Sequence, residues 1–117
     1  MDFVFVEDPA LEGAPTAELQ RRFRVWARAD RPDVDMDDPQ TWRSARHEYF
    51  LKIDGEGLWG GYVGLVRGWP VTTGVEDWMK IPASLVGPEF YYEMGNIEMW
   101  YVYYTEPERG VATRGYW

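Results

Sequence analysis

Clustered aspartates are the first feature of this sequence that suggests chemistry. Five of them fall within nine residues: Asp30, Asp33, Asp35, Asp37 and Asp38. Asp33, Asp35 and Asp37 have the spacing of the first three ligands of a calcium-binding loop. Such a loop also needs a glycine and a bidentate glutamate, but Asp38 and Ser44 occupy those two positions. The sequence therefore predicts no metal site, and it contains no motif that indicates a cofactor.

Without a metal, the aspartates need another explanation, because closely spaced like charges repel one another. They can cap helices or remain solvated, or they can attract a basic protein partner, since complementary charge accelerates encounter. The candidate partner-binding aspartates are Asp33, Asp35, Asp37 and Asp38. The arginines that precede them could instead neutralise them within the chain: Arg21, Arg22, Arg24, Arg28 and Arg31. Both interpretations are open from the sequence.

Groups for acid–base or nucleophilic catalysis are few. The chain has no cysteine and a single histidine, His47, which excludes thiolate nucleophiles and sites built from several histidines. Glu48 and Glu98 lie among aromatic residues, whose packing can raise the pKa of a carboxyl group by burial. Ser44 and Ser84 lack the sequence context of a nucleophilic serine. If the protein is an enzyme, its candidate catalytic residues are Glu98, Glu48 and His47.

A glycine series, Gly55-x-Gly57-x-x-Gly60, has the spacing of a dinucleotide-binding loop. That loop must open a helix, whereas glycines and strand-forming residues follow here. We interpret residues 54–57 as the turn of a β-hairpin. The glycines beside Tyr62 are expected to be covered by an aromatic ring of the chain itself.

Aromatic residues make up 17% of the chain and are concentrated in segments that favour sheet. Residues 96–104 predict a strand with two apolar faces, so a second layer, a ligand or a partner must cover each face. Trp and Tyr are common anchors in the cores of protein interfaces. The candidate partner-binding aromatics are Trp59, Tyr62, Trp100, Tyr101 and Tyr103.

Length and charge limit the classes of partner. The 117 residues carry a net charge of -8, which disfavours direct binding to nucleic acid, because phosphate contacts need exposed lysine and arginine. The sequence has no signal peptide and no apolar stretch of about 20 residues, so it predicts a cytoplasmic protein that does not enter a membrane. We expect one domain over 1–117.

Hydrophobic periodicity predicts the elements that position these residues. Leu19, Phe23 and Trp26 recur at helical spacing and predict a helix over 16–29, capped by Thr16. The other predicted elements are a strand at 2–6, a short helix at 38–46, a hairpin of strands 47–54 and 58–67, a helix or strand at 75–81, a helical segment at 89–94, the strand at 96–104 and a returning strand at 111–116. They indicate an α+β fold, with an antiparallel sheet of four to five strands packed with two or three helices.

These features favour a non-catalytic domain that inhibits or regulates a basic protein partner, in the manner of an immunity protein or an inhibitor of a nucleic-acid-handling enzyme. The aspartates would steer the partner and the aromatics would anchor it. One alternative is a small enzyme or small-molecule-binding domain with an aromatic pocket and a carboxylate or His47 as acid/base. Another is a homodimer sealed through residues 97–104.

Overall fold

A computed structural model describes residues 13–38, 40–53, 55–69, 77–94, 99–107 and 110–111, apart from the side chains of residues 56, 58, 91 and 101. Its first helix, α1 (Thr16–Asp30), confirms the helix predicted from the apolar stripe. The stripe packs on the sheet through Phe23, whose ring centroid lies 5.1 Å from that of Phe50. The predicted cap is wrong, because Pro15 precedes the first turn and the Thr16 side chain caps no amide.

The described strands form an antiparallel sheet with β2 at its centre. They are β1 (Tyr49–Lys52), β2 (Tyr62–Arg67) and β3 (Trp78–Pro82). The predicted pairing of β1 with β2 is confirmed. Both strands of this pair are shorter than predicted, because helices occupy residues at their ends. Helix α2 (Ala45–Glu48) precedes β1, and α3 (Gly55–Gly60) replaces the predicted hairpin turn. His47 and Glu48 are therefore helical, and not the first residues of a strand.

The short helix predicted at 38–46 is wrong. The Asp38 side chain accepts a hydrogen bond from the Gln40 amide at 2.9 Å, which stabilises a turn, and the chain is irregular from 42 to 44. Aspartate commonly makes this local contact, which competes with helix formation. Helix starts only at Ala45, and Pro39 lies outside the described residues.

The strand predicted at 96–104 is also wrong over 99–103, because these residues form a helix, and 96–98 lie outside the described residues. A 3₁₀ turn (Ala83–Leu85) and α4 (Pro88–Met94) lead to α5 (Met99–Tyr103). Trp100 and Tyr103 are three residues apart, so they share one helical face, and both are buried. The Tyr104 amide donates to the Trp100 carbonyl at 2.8 Å, which continues the helical pattern. Burial of these rings outweighs the strand preference of aromatic residues.

The described residues form two hydrophobic clusters. The larger one combines one face of the sheet, including Leu65, Met79 and Ile81, with Trp100 and Tyr103 of α5. The smaller one joins Ala27 of α1, Met36 and Trp69, with Trp26 and Val34 packed against it. The second cluster lies under the aspartate-rich segment and fixes its position.

The described residues thus form an α+β domain with a three-stranded antiparallel sheet. The helical segment predicted at 89–94 is confirmed by α4. In the segment predicted as helix or strand, at 75–81, residues 78–81 are strand and belong to β3. Val111 makes a parallel bridge with Lys80 and not the expected return pairing. The predicted strand at 2–6 and residues 112–116 lie outside the described residues. Within the described part, no helix is long and apolar enough to cross a bilayer.

Candidate functional site

Residues 31–42, which we call the acidic loop, connect α1 to the segment before α2. Two of its aspartates bind arginines of the same chain through paired contacts. Arg28 donates to Asp37 at 2.7 and 3.0 Å, and Arg31 donates to Asp33 at 3.0 and 3.1 Å. These hydrogen bonds hold the pKa of both carboxyl groups below its ordinary value. The intramolecular interpretation is therefore correct for Asp33 and Asp37.

The other two aspartates of the loop, Asp35 and Asp38, contact no cationic side chain among the described residues. Asp35 accepts a hydrogen bond from the Asp37 amide at 3.1 Å, and Asp38 accepts one from the Gln40 amide. Both residues are exposed. Their negative charge is held in place by backbone donors and faces solvent.

The acidic loop is held by hydrophobic packing, hydrogen bonds and cation–π contacts. Met36 is buried in the smaller cluster, and its carbonyl accepts a hydrogen bond from Arg43 at 2.8 Å. The Thr41 hydroxyl donates to the Asp35 carbonyl at 2.7 Å. The Arg43 and Arg28 guanidinium groups lie 4.5 and 5.5 Å from the centre of the Trp69 ring. A loop with this many contacts presents its outer side chains in a defined geometry.

Trp42 ends the acidic loop and was missed as a candidate from the sequence. Its side chain is 74% exposed, although tryptophan usually buries most of its surface. The available signal was its setting, because Trp42 is the one apolar residue in the polar stretch between Met36 and Ala45. The acidic loop thus carries an exposed indole and the exposed carboxylates of Asp35 and Asp38 on one segment.

His47 connects the end of α1 to α2. Its Nε2 atom lies 2.7 Å from Asp30 Oδ2 and its Nδ1 atom lies 3.1 Å from Ser44 Oγ. The buried imidazole also stacks on Trp26, with ring centroids 5.7 Å apart. The hydrogen bond from His47, together with the Arg46 charge, holds the pKa of Asp30 below its ordinary value. The structure thus brings Ser44, His47 and Asp30 into one hydrogen-bonded row.

Glu48, the next candidate acid/base group, is buried. Burial raises the pKa of Glu48, against the opposing effect of Arg43, whose Nε atom donates to Glu48 Oε2 at 2.7 Å, and of the Arg67 charge. Its environment is therefore unlike that of Asp30, whose pKa is lowered. Glu98, the third candidate, lies outside the described residues.

The aromatic candidates are divided between surface and core. Trp59 on α3 is 92% exposed. Tyr62 is half-buried, and its ring fills the space beside Gly60, where an added Cβ would lie 2.6 Å from it. Trp100 and Tyr103 are fully buried in the larger cluster, so they stabilise the fold and cannot contact a partner of the folded chain. The side chain of Tyr101 lies outside the described residues.

Comparisons with known proteins give no assignment. No protein-family model matches the chain, no curated protein matches its sequence, and no solved structure matches its fold. Among the described residues, no group of three or more His, Asp or Glu side chains is placed to hold a metal ion. In the part of the chain that the structure describes, the geometry offers the acidic loop with Trp42 and the row from Ser44 to Asp30 as candidate sites.

Proposed function

We propose that this chain is a non-catalytic protein-binding domain that inhibits or regulates a basic protein partner, and that the acidic loop is its contact surface. The observation that carries the proposal is Trp42, an exposed indole on a loop that the chain's own arginines hold in place. Trp is the residue type most often found to dominate binding energy at interfaces. An anchor held in its bound geometry loses little entropy on association.

The aspartates of the loop divide into two roles. Asp33 and Asp37 are bound to Arg31 and Arg28 and fix the loop. Asp35 and Asp38 have no cation partner among the described residues and face solvent, so they are available to lysine or arginine side chains of a partner. The net charge of -8 adds long-range attraction to such a partner. An immunity protein, or an inhibitor of an enzyme that handles nucleic acid, would need this combination, because its target surface is basic.

The decisive experiment is covalent capture. A photocrosslinking residue at Gln40, an exposed position of the loop, is introduced into the full chain in its source cells, and the crosslinked protein is identified and purified. We expect a basic protein whose dissociation constant rises about tenfold or more with Trp42→Ala and changes little with Trp59→Ala. Asp35→Asn with Asp38→Asn should slow association at low salt, whereas Glu89→Gln with Glu106→Gln, which removes the same charge elsewhere, should have less effect.

The proposal fails if the crosslinked protein is acidic, or if Trp42→Ala and the two Asp→Asn changes leave its affinity unchanged. Loss of a specific activity of the captured protein on binding would show inhibition. Binding without such a loss would restrict the function to docking.

A second candidate function keeps His47 as acid/base, and it rests on the row of Ser44, His47 and Asp30. In the neutral tautomer with a proton on Nε2, His47 donates to Asp30, and Nδ1 accepts from the Ser44 hydroxyl. That is the arrangement in which a serine is activated as a nucleophile. Labelling of the folded chain by a fluorophosphonate at Ser44, abolished by His47→Gln, would support it. If Ser44 is not labelled, this second function fails, and the three residues have only the structural role of joining α1 to α2.

A further inference from the structure

Arg43 connects the acidic loop to helix α2. Its Nε atom donates to Glu48 Oε2 at 2.7 Å, and its Nη1 atom donates to the Met36 carbonyl at 2.8 Å. The same guanidinium group lies 4.5 Å from the centre of the Trp69 ring. Glu48 belongs to α2 and Met36 to the acidic loop, so a single side chain links the two segments.

The pair of Arg43 and Glu48 differs in burial from the ion pairs on the outside of the loop. The side chains of Arg43 and Glu48 are 15% and 9% exposed, whereas those of Arg28 and Asp37 are 44% and 57% exposed. Exposed pairs contribute little to stability. A buried pair is costly to break, because the remaining charge has neither solvent nor a partner. The position of the loop should therefore depend more on Arg43 than on Arg28.

Charged groups face the Glu48 carboxyl group from two segments. Arg43 contacts it directly, and the charge of Arg67 on β2 acts on it as well. Arg67 is itself paired with Asp77 at 2.8 Å. His47 precedes Glu48 on α2, but its ring bonds the Asp30 and Ser44 side chains instead. Arg43 is thus the cation that both touches Glu48 and reaches the loop.

Glu48 takes up a proton before the aspartates that hold the outside of the loop. Burial raises the pKa of Glu48, whereas the bound arginines lower the pKa of Asp33 and Asp37. As pH falls, the ion pair at Arg43 is therefore the first of the loop's pairs to lose its negative charge. Proton uptake still stabilises the folded chain as a whole, because the pKa of Glu48 is raised on folding.

Loss of that negative charge weakens the bridge through Arg43. Hydrogen bonds between charged groups are about twice as strong as those between neutral groups. A guanidinium group that is mostly buried and has no counter-charge is drawn toward solvent. Movement of Arg43 toward solvent would break its contacts with the Met36 carbonyl and the Trp69 ring.

We propose that Arg43 is the positioning residue of the acidic loop and that Glu48 controls the loop through it. With Glu48 ionised, Arg43 holds Met36, and the adjacent Trp42 is presented in a fixed geometry. With Glu48 protonated, the loop loosens. One consequence rests on the proposed function: binding of the basic partner weakens as pH falls through the titration of Glu48.

The test is a pH titration of the purified full chain, followed by NMR. The reporters are the backbone amides of Asp38 and Thr41, which donate to the Asp35 and Asp38 carbonyls within the loop. We expect both signals to shift with the midpoint of the Glu48 carboxyl carbon signal. In Glu48→Gln this step should be lost. The reporter signals of that variant at neutral pH should resemble those of wild type after Glu48 is protonated.

Arg43→Lys separates positioning from a direct effect of the Glu48 charge. Lysine keeps the positive charge but lacks the planar group with separated donors, so Glu48 should still titrate while the shifts of both reporters fall by about half or more. A direct effect of the Glu48 charge on the reporters would persist in this variant.

Arg67→Lys is the matched control for Arg43→Lys. Arg67 is also buried, pairs with a carboxylate and lies over an indole, with its guanidinium 4.6 Å from the centre of the Trp100 ring. This variant should leave the titration of the loop as in wild type. Circular dichroism checks that each variant is folded, and the comparison of wild type with Glu48→Gln tests the coupling without a change at either arginine.

The inference is overturned if the reporters do not follow Glu48, or if Glu48→Gln retains the step. It also fails if Arg43→Lys leaves the shifts undiminished or Arg67→Lys reduces them equally.

The outcome is separable from that of the proposed function, because the titration needs no partner. With a captured basic protein, Arg43→Lys should raise the dissociation constant about tenfold, and Arg67→Lys should change it little. If no basic protein is captured, the proposed function fails and the titration still decides the role of Arg43. If one is captured but the reporters ignore Glu48, only the positioning role fails.

Discussion

The acidic loop and helix α5 are both rich in side chains that commonly bind partners, but they use them in opposite ways. The loop leaves Trp42 and all four of its aspartates exposed, and Met36 is the one buried residue among its described positions. Helix α5 buries Trp100 and Tyr103 and exposes Val102. Residue type alone therefore does not separate an anchor from a core residue in this chain. A core residue differs from an exposed candidate anchor in that another layer of the fold covers its side chain.

Truncating one tryptophan in each region should give the largest contrast. Trp100→Ala removes a fully buried indole and should lower the free energy of unfolding by about 3–5 kcal/mol. Trp42→Ala should change it by about 0.5 kcal/mol or less, because the ring is mostly solvated. Urea denaturation of both variants measures the difference. Equal effects would mean that Trp42 is covered in solution, and the comparison would fail.

Glu48 extends the contrast to charge. Glu48→Ala should cost about 1–3 kcal/mol at neutral pH, because Arg43 loses a buried partner, and Glu48→Gln should cost less, because the amide oxygen still accepts from Arg43. The pKa of Glu48 is raised in the folded chain, so its protonation stabilises folding as pH falls through that value. The difference between wild type and Glu48→Gln should therefore shift in favour of wild type as pH is lowered. A pH-independent difference in urea titrations would contradict this.

A smaller effect should follow from Gly68, which joins α1 to the sheet. A Cβ at this position would overlap the Phe23 ring, so Gly68→Ala should cost about 1–2 kcal/mol as the ring is displaced. Gly87→Ala is the matched control, because its added Cβ meets no atom within 4 Å. Thermal denaturation of the two variants compares them. A Gly68→Ala variant as stable as the control would show that Phe23 is not held against the sheet.

The smallest effect is expected for the exposed pair of Arg28 and Asp37. A double-mutant cycle of Arg28→Gln and Asp37→Asn should give a weak coupling that disappears at high salt, as exposed ion pairs usually do. The pKa of Asp37 is lowered, so any stability from the pair is present above its ordinary pKa and is lost as pH falls through the lowered value. Glu18, whose pKa is lowered to about 2 by Arg21 and Arg22, has the same sign. A strong, salt-independent coupling would mean that the loop carries core stability.

The parts of the fold that the sequence predicted correctly have clear local signals. Leu19, Phe23 and Trp26 repeat at helical spacing over α1. Strand-forming residues after a glycine-rich segment predicted β2. Residues 99–103 are short and uniformly apolar, so periodicity could not distinguish a strand from a helix, and residue preference favoured the wrong one. Contacts with α4 and the sheet favour the helix over the strand, and these contacts exist only in the folded chain.

The candidate site was predictable to a similar degree. The aspartates and arginines were evident from the sequence, but their pairing was not. Arg28 and Arg31 reach Asp37 and Asp33. Asp35 and Asp38 accept only backbone hydrogen bonds from the part of the chain that the structure describes. His47 contacts the Asp30 carboxylate, whereas its neighbour Glu48 contacts the Arg43 guanidinium. The two partners come from different segments, so the sequence did not show these contacts. Trp42 was overlooked because the aromatic candidates were taken from segments that favour sheet, and Trp42 lies in a polar segment.

The Trp69 indole donates to the His47 carbonyl at 2.7 Å and links the smaller hydrophobic cluster to the helix that precedes β1. Among the described residues the smaller cluster has three buried members and the larger one ten, so the two parts differ in the burial that opposes their opening. The acidic loop and the end of α1 can open as one cooperative unit while the sheet and α5 remain folded. Amide hydrogens in these two parts of the molecule would then exchange with solvent on different timescales.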